Sequence, residues 1–163
     1  MQDIQIKRAR WQDRFVVWLW RNDPQTREME RDNAMVPWDS FKLKFRMDMA
    51  DPTRRLMMAE RGFHSLGVSS ISVKNDLSAV MGINLNPAFR GQGLATPLID
   101  RFIAFARREL VFNHVTAHIR RENTPSRRAF ERAGFQLLEE GGSICLYGRD
   151  LIHGVEPKAS RHA

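Results

Sequence analysis

Residues 85–96, LNPAFRGQGLAT, decide the fold of this chain. An apolar strand over residues 80–85 reaches Asn86 and Pro87, and a loop containing Gly91 and Gly93 leads directly into a helix. Glycines let the loop backbone turn its N–H groups toward one point without interference from Cβ atoms. The helix N-terminus adds unpaired N–H groups and a partial positive charge. The stretch therefore predicts an anion site suited to a pyrophosphate, to which Arg90 adds a fixed cation.

Two familiar phosphate-binding motifs do not fit this stretch. No Gly-Lys-Ser/Thr follows the glycines, as a Walker loop requires, and only Gly91 and Gly93 match the Gly-x-Gly-x-x-Gly pattern. Read without its surroundings, a strand-to-helix turn with glycines can also be purely structural.

Outward from this stretch, the apolar periodicity predicts alternating strands and helices. N-terminal to it we expect a strand at 4–6, a helix over 11–20 and a loop or second helix over 21–37. A further helix, capped by Asp39 or Ser40, should run to about residue 49, and strands should follow at 56–59 and 66–73. C-terminal to it we expect the amphipathic helix over 94–106, a strand at 115–119, a helix with Thr124 as N-cap that Gly134 closes, and strands at 135–138 and 144–147. This order predicts an α/β (α+β) fold, a mixed sheet with helices on both faces.

Length and composition restrict the classes of protein that fit. The chain has 163 residues, 42% hydrophobic and 28% charged, which excludes wholesale disorder and predicts a single domain over residues 1–152 with a flexible tail over 153–163. No apolar run spans a bilayer, and the N-terminus has no apolar signal segment, so we expect a cytoplasmic protein. Cys145 is the sole cysteine, and no ligand spacing suggests a metal.

The motif residues resemble the GNAT superfamily of N-acetyltransferases. Residues 90–95, RGQGLA, match the R/Q-x-x-G-x-G/A signature of that family, and NTPS at 123–126 with FERAGF at 130–135 resembles its second block. The resemblance implies a mostly antiparallel sheet of about seven strands, with acetyl-CoA as the acetyl donor and no metal. It further implies that the donor is held by Ile83, Leu85, Arg90, Gly91, Gln92, Gly93, Leu94, Ala95, Thr96, Asn123 and Ser126, with a backbone N–H near Leu85 or Asn86 polarising the thioester carbonyl.

The sequence departs from this family at two positions used for proton transfer. Many members carry a Tyr that protonates the departing thiolate, where this chain has Phe130, and a Glu base on the fourth strand, where it has Val80. Asn84 and Tyr147 remain as candidate catalytic residues, Asn84 by ordering a water and Tyr147 if it faces the cleft. His114 or His118 could also reach the cleft, although neither has a spacing partner for metal binding.

The N-terminal part of the chain offers candidates for binding the acceptor. The stretch WRNDPQTR at 20–27 resembles acetyltransferases of 4-amino-4,6-dideoxy sugar nucleotides, and also the ribosomal-protein N-terminal acetyltransferase-like branch. Arg21, Asn22 and Trp38 are therefore predicted to contact an acceptor, with Arg21 pairing with a diphosphate.

Three functions remain open at this point. They are N-acetylation of an amino-sugar nucleotide, N-acetylation of a protein N-terminus or another small amine, and a non-catalytic module that binds CoA or nucleic acid. The net charge of +7 attracts polyanions, but no nucleic-acid-binding signature is present, so neither nucleic acid nor a membrane is expected as partner; a homodimer is a candidate assembly.

Overall fold

A computed structural model describes residues 3–30, 33–74 and 76–151. Its strands are β1 Gln5–Arg8, β2 Arg54–Arg61, β3 His64–Val73, β4 Ser78–Leu85, β5 His114–Arg120, β6 Gln136–Glu140 and β7 Ile144–Asp150. Its helices are α1 Arg14–Arg21, α2 Pro24–Glu28, α3 Trp38–Ala50, α4 Ala95–Ala106 and α5 Thr124–Arg132. The tail predicted over residues 153–163 lies outside the described residues.

The strands form one seven-stranded sheet in the order β1-β2-β3-β4-β5-β7-β6. The pairing of β4 with β5 is parallel, and the other neighbouring strands are antiparallel. The predicted mixed, mostly antiparallel sheet is thus confirmed. None of the helices in the described ranges combines the length and apolar character that crossing a lipid bilayer requires.

Side chains along each strand point alternately to the two faces of the sheet, and each face has its own hydrophobic core. Met57 of β2 belongs to the larger core, under α4 and α5, whereas the next residue, Met58, belongs to the smaller core, which also holds Val17 of α1 and Phe45 of α3. We refer to these as the α4/α5 face and the α1/α3 face. The prediction of helices on both faces is confirmed.

Several helix starts differ from the sequence prediction. Asn123, not Thr124, is the N-cap of α5, because its side-chain oxygen accepts a hydrogen bond from the Ser126 N–H at 3.3 Å. Helix α3 begins at Trp38, after Pro37, so neither Asp39 nor Ser40 caps it. Gly134 closes α5 in the left-handed conformation with φ +82°, as predicted.

The stretch left open as a loop or a helix contains the short helix α2. Asp23 caps it, since its carboxylate accepts from the Thr26 N–H at 3.1 Å, and Pro24 is compatible with its first turn. This helix lies beside the end of β4, where the Thr26 hydroxyl donates to Asn84 Oδ1 at 3.4 Å.

Candidate active site

The central feature of the site is a split between the two parallel strands. β4 pairs with β5 only from Ser78 to Val80, opposite His114 to Thr116, and residues further along the two strands are not paired with each other. A cavity of about 920 Å³ occupies the opening. Its lining includes successive residues of both strands, 81–85 and 117–120, and therefore side chains from both faces of the sheet. The cavity thus connects the two faces through the split.

Backbone polar groups of β4 point into this split. The Asn86 N–H donates to the Leu66 carbonyl of β3 at 2.9 Å. Because backbone groups alternate in direction along a paired strand, those of Ile83 and Leu85 point away from β3, toward the split. The N–H predicted near Leu85 or Asn86 to polarise a carbonyl is therefore not that of Asn86, and Leu85 is left as the candidate.

The glycine loop and the start of α4 form the anion-binding end of the cavity. Gly91 and Gly93 have φ values of +73° and +71°, and a Cβ at either would meet no atom within 4 Å. The left-handed backbone, not crowding, is therefore what requires glycine at both positions. Ala95 and Thr96, in the first turn of α4, line the same end of the cavity, so that the N-terminus of the helix opens into it.

The predicted donor-binding residues gather around this one cavity, with one exception. Ile83, Leu85, Arg90, Gly91, Gly93, Leu94, Ala95, Thr96, Asn123 and Ser126 line it, and Gln92 does not. Backbone amides, a helix N-terminus and an apolar floor suit a thioester carrying a pyrophosphate, so these residues fit the donor that the sequence implies.

Arg90 is held differently from the sequence prediction. Its guanidinium donates to the Asp23 carboxylate at 2.7 Å and to the Thr26 hydroxyl, both in the first turns of α2. Burial raises the pKa of Asp23, but the hydrogen bonds from Arg90 and Thr26 outweigh it, so the pKa lies below its ordinary value of 3.8. Arg90 therefore joins the glycine loop to α2 as well as lining the cavity.

Two further arginines at the cavity were not assigned from the sequence. Arg128 and Arg132, one turn apart on α5, line it and are exposed. Within the described part of the chain, neither has a hydrogen-bond or ion-pair partner. Their i, i+4 spacing in the sequence could have placed them on one face of the helix. Both can add positive charge near a bound phosphate.

The structure separates the two candidate catalytic residues. Asn84 lines the cavity on the α1/α3 face and accepts a hydrogen bond from Thr26. Tyr147 is fully buried under α5 and is absent from the cavity lining; its hydroxyl donates to Glu131 at 2.8 Å and accepts from Arg127 at 2.9 Å. Burial and the Glu131 carboxylate raise the pKa of Tyr147, against the influence of Arg127. Tyr147 therefore does not face the cleft.

The three predicted acceptor residues lie outside the cavity lining. Asn22 donates to the Val36 carbonyl at 3.1 Å and accepts from the Val36 N–H at 2.8 Å, so it fastens the chain before α3 onto α1. Trp38 packs against Trp18 with ring centroids 5.3 Å apart. Arg21 pairs with Glu30 at 3.5 Å, and of these two only Glu30 lines the cavity.

The family positions for proton transfer hold side chains that cannot transfer protons. Phe130 is buried, lines the cavity and packs edge-on against Phe135, with ring centroids 4.9 Å apart. Val80 lies at the last paired position of β4, where the split begins. Any proton acceptor must therefore come from elsewhere in the lining.

A second, smaller cavity adjoins the α1/α3 face. Its volume is about 460 Å³, and the turn between β6 and β7 lines it together with Ile144, Leu146 and His118. His118 lines both cavities, so the two meet at this side chain. No spacing in the sequence singles this histidine out, because its importance comes from the register of β5.

Comparison with known proteins identifies the class. The chain matches the acetyltransferase (GNAT) domain family over residues 4–136, and it belongs to that family. Among curated proteins no sequence matches it.

Solved structures of N-acetyltransferases share the fold. The spermidine N-acetyltransferase from Vibrio cholerae, in complex with CoA and spermine, is 16% identical, with a TM-score of 0.80 over 91% of this chain and 95% of that one. The aminoglycoside acetyltransferase AAC(6')-Ib, in complex with coenzyme A and kanamycin, is 14% identical, with a TM-score of 0.76 over 91% and 95%. An N-acetyltransferase from Staphylococcus aureus Mu50 is 17% identical, with a TM-score of 0.76 over 92% and 99%.

Proposed function

We propose that this protein transfers the acetyl group of acetyl-CoA to a primary amine of a small molecule. The observation that carries the proposal is the cavity through the split between β4 and β5, which opens at the glycine loop on one side and beside His118 on the other. A thioester in the split would have its phosphate-bearing arm on the α4/α5 face. The attacking amine would approach the thioester from the α1/α3 face.

The chain's own residues have distinct tasks in this reaction. The amides of the glycine loop and of the first turn of α4 bind the diphosphate, and Arg128 and Arg132 add positive charge beside it. The Leu85 N–H polarises the acetyl carbonyl. Holding donor and amine in one opening makes direct transfer efficient without a covalent enzyme intermediate, and Cys145, buried in β7, plays no part.

The acceptor class follows from the lining on the α1/α3 face. Among the described residues that line the larger cavity, Glu30 supplies the sole carboxylate, and Glu139 lines the smaller cavity. Carboxylates on both sides of the opening favour an amine that carries positive charge before it reacts. Structural neighbours crystallised with spermine and with kanamycin bind acceptors of this kind.

The amino-sugar nucleotide is a narrower candidate with less support. Arg21, Asn22 and Trp38, which the sequence suggested for it, hold α1, α2 and α3 together and do not line the cavity. Arg120, on the α1/α3 face of β5, lines the cavity and could meet an acceptor phosphate.

A panel of amines tests the proposal. Thiol release from acetyl-CoA would be followed with a polyamine, an aminoglycoside, an amino acid, a peptide with a free N-terminus and a nucleotide-linked amino sugar. We expect turnover with at least one cationic small molecule and none with the form of that molecule in which every primary amine is N-acetylated. Tight CoA binding without turnover on any amine would instead favour a non-catalytic CoA-binding module, and turnover confined to the peptide would favour a protein N-terminus as acceptor.

A further inference from the structure

His118 occupies a particular position on the edge of the split. Val115, Ala117 and Ile119 of β5 are buried in the core of the α4/α5 face, so Thr116, His118 and Arg120 face the other way. Thr116 is the last residue of β5 that pairs with β4. His118 is therefore the first side chain on the α1/α3 face beyond the point where the strands separate.

The imidazole of His118 is accessible and is not held by another side chain in the part of the chain that the structure describes. It is exposed, and within the described ranges it has neither a hydrogen-bond nor an ion-pair partner. The nearby charged residues already have other partners. Arg120 donates to the Glu30 carbonyl at 2.6 Å, and the Glu30 carboxylate forms an ion pair with Arg21. Arg120 is two residues beyond His118 on the same face, so the backbone positions of the two residues are about 7 Å apart along the strand.

The reaction needs a proton acceptor in this place. A protonated primary amine has no lone pair for attack, and Val80 occupies the position where many family members carry a carboxylate. Imidazole is the side chain that commonly takes up a proton near neutral pH. We propose that His118 is a catalytic residue, the general base that removes the proton from the acceptor amine; this inference rests on the proposed function.

The proposed step balances in atoms and charge. The amine nitrogen forms the bond to the acetyl carbon, the carbon–sulfur bond breaks, and its electron pair leaves with CoA as a thiolate. The protonated amine first passes one proton to the imidazole of His118 and from there to solvent in the exposed groove, which frees the lone pair for attack. The nitrogen releases its second proton to solvent after the bond to the acetyl carbon has formed. The thiolate takes up one proton from solvent, so the products are an amide, the CoA thiol and one proton in solvent.

The pH dependence of this step has a defined direction. Among the described residues, the charged groups that line a cavity together with His118 on this face are Glu30, which follows α2, Arg120 from the same strand and Glu139 from β6. Arg21 pairs with the Glu30 carboxylate. A protonated imidazole cannot accept a proton, so kcat/KM should fall on the acid side of the profile.

The test compares two histidines of the same strand. His118→Gln removes the base, whereas His114→Gln is the control, because His114 pairs with Asp150 and lines neither cavity. With the best amine of the panel, we expect His118→Gln to lower kcat/KM by about 100- to 10,000-fold, with the affinity for CoA unchanged. The acid limb should move to higher pH, toward the pKa of the acceptor amine, because the variant can use only amine that is already unprotonated. His114→Gln should keep the wild-type profile, and added imidazole should restore part of the activity of His118→Ala.

The outcomes separate this inference from the proposed function. If the wild-type protein turns over no amine, the proposed function fails, and the role of His118 fails with it. If the wild-type protein is active and His118→Gln keeps its rate and acid limb, the proposed function stands and His118 is not the base.

Discussion

The two ends of the cavity are built in different ways. At the anion-binding end, one contiguous stretch of residues 85–96 supplies backbone N–H groups, and its glycines are required by positive φ values. At the end on the α1/α3 face, Glu30, His118 and Arg120 are single side chains brought together from the segment after α2 and from β5. The comparison teaches that backbone geometry holds the donor, whereas individual side chains select and activate the acceptor.

The largest effect is expected from a substitution in the glycine loop. Gly93→Asp places a strained side chain and a negative charge where the diphosphate is expected, and like charges about 4 Å apart repel by about 4 kcal/mol near a protein surface. Affinity for CoA, measured by calorimetry, should fall by more than about 100-fold.

A matched control separates charge at the site from backbone strain. Gly62, in the turn between β2 and β3, has φ +61° and lies outside the cavity lining. Gly62→Asp should cost similar stability but leave CoA affinity unchanged. Equal losses of affinity in the two variants would remove the loop from the binding site.

A smaller effect, on stability instead of rate, is expected at Tyr147. Tyr147→Phe removes the hydroxyl of a buried side chain that bonds to both Arg127 and Glu131, so the free energy of unfolding in urea should fall by about 1–2 kcal/mol. Glu131→Gln, which keeps an oxygen acceptor for the hydroxyl, should lose less. kcat should stay at the wild-type value; a large fall in kcat with intact stability would return Tyr147 to the active site.

The smallest effect is expected at the link between the two ends. Asp23→Asn keeps an N-cap oxygen for α2 but removes the ion pair between Asp23 and Arg90. Because both side chains of this pair are about a quarter exposed, the free energy of unfolding at pH 7 should fall by about 0.5–1 kcal/mol. The pKa of Asp23 is lowered in the folded protein, so its contribution is present above pH 3.8 and is lost as the pH falls through the folded value. The difference between variant and wild type should therefore shrink in acid; a difference that grew in acid would contradict this assignment.

The two ends of the cavity also differ in how far the sequence predicts them. The strand, glycine loop and helix of residues 85–96 are local features, and their periodicity and glycines place them correctly. The contacts of WRNDP at 20–24 could not be predicted because its partners are distant: Asp23 binds Arg90, 67 residues away in the chain, and Asn22 binds Val36. His118 resembles any histidine on a strand until the register shows where β4 and β5 separate. The acceptor end depends on tertiary contacts that no local pattern records.

The most direct test is a crystal structure with bound CoA. We expect the diphosphate within hydrogen-bond distance of the amides of residues 91–96, and the thiol-bearing arm between β4 and β5 with its sulfur near the opening at His118. A CoA molecule bound elsewhere, or a split closed by pairing of residues 81–85 with β5, would contradict this expectation.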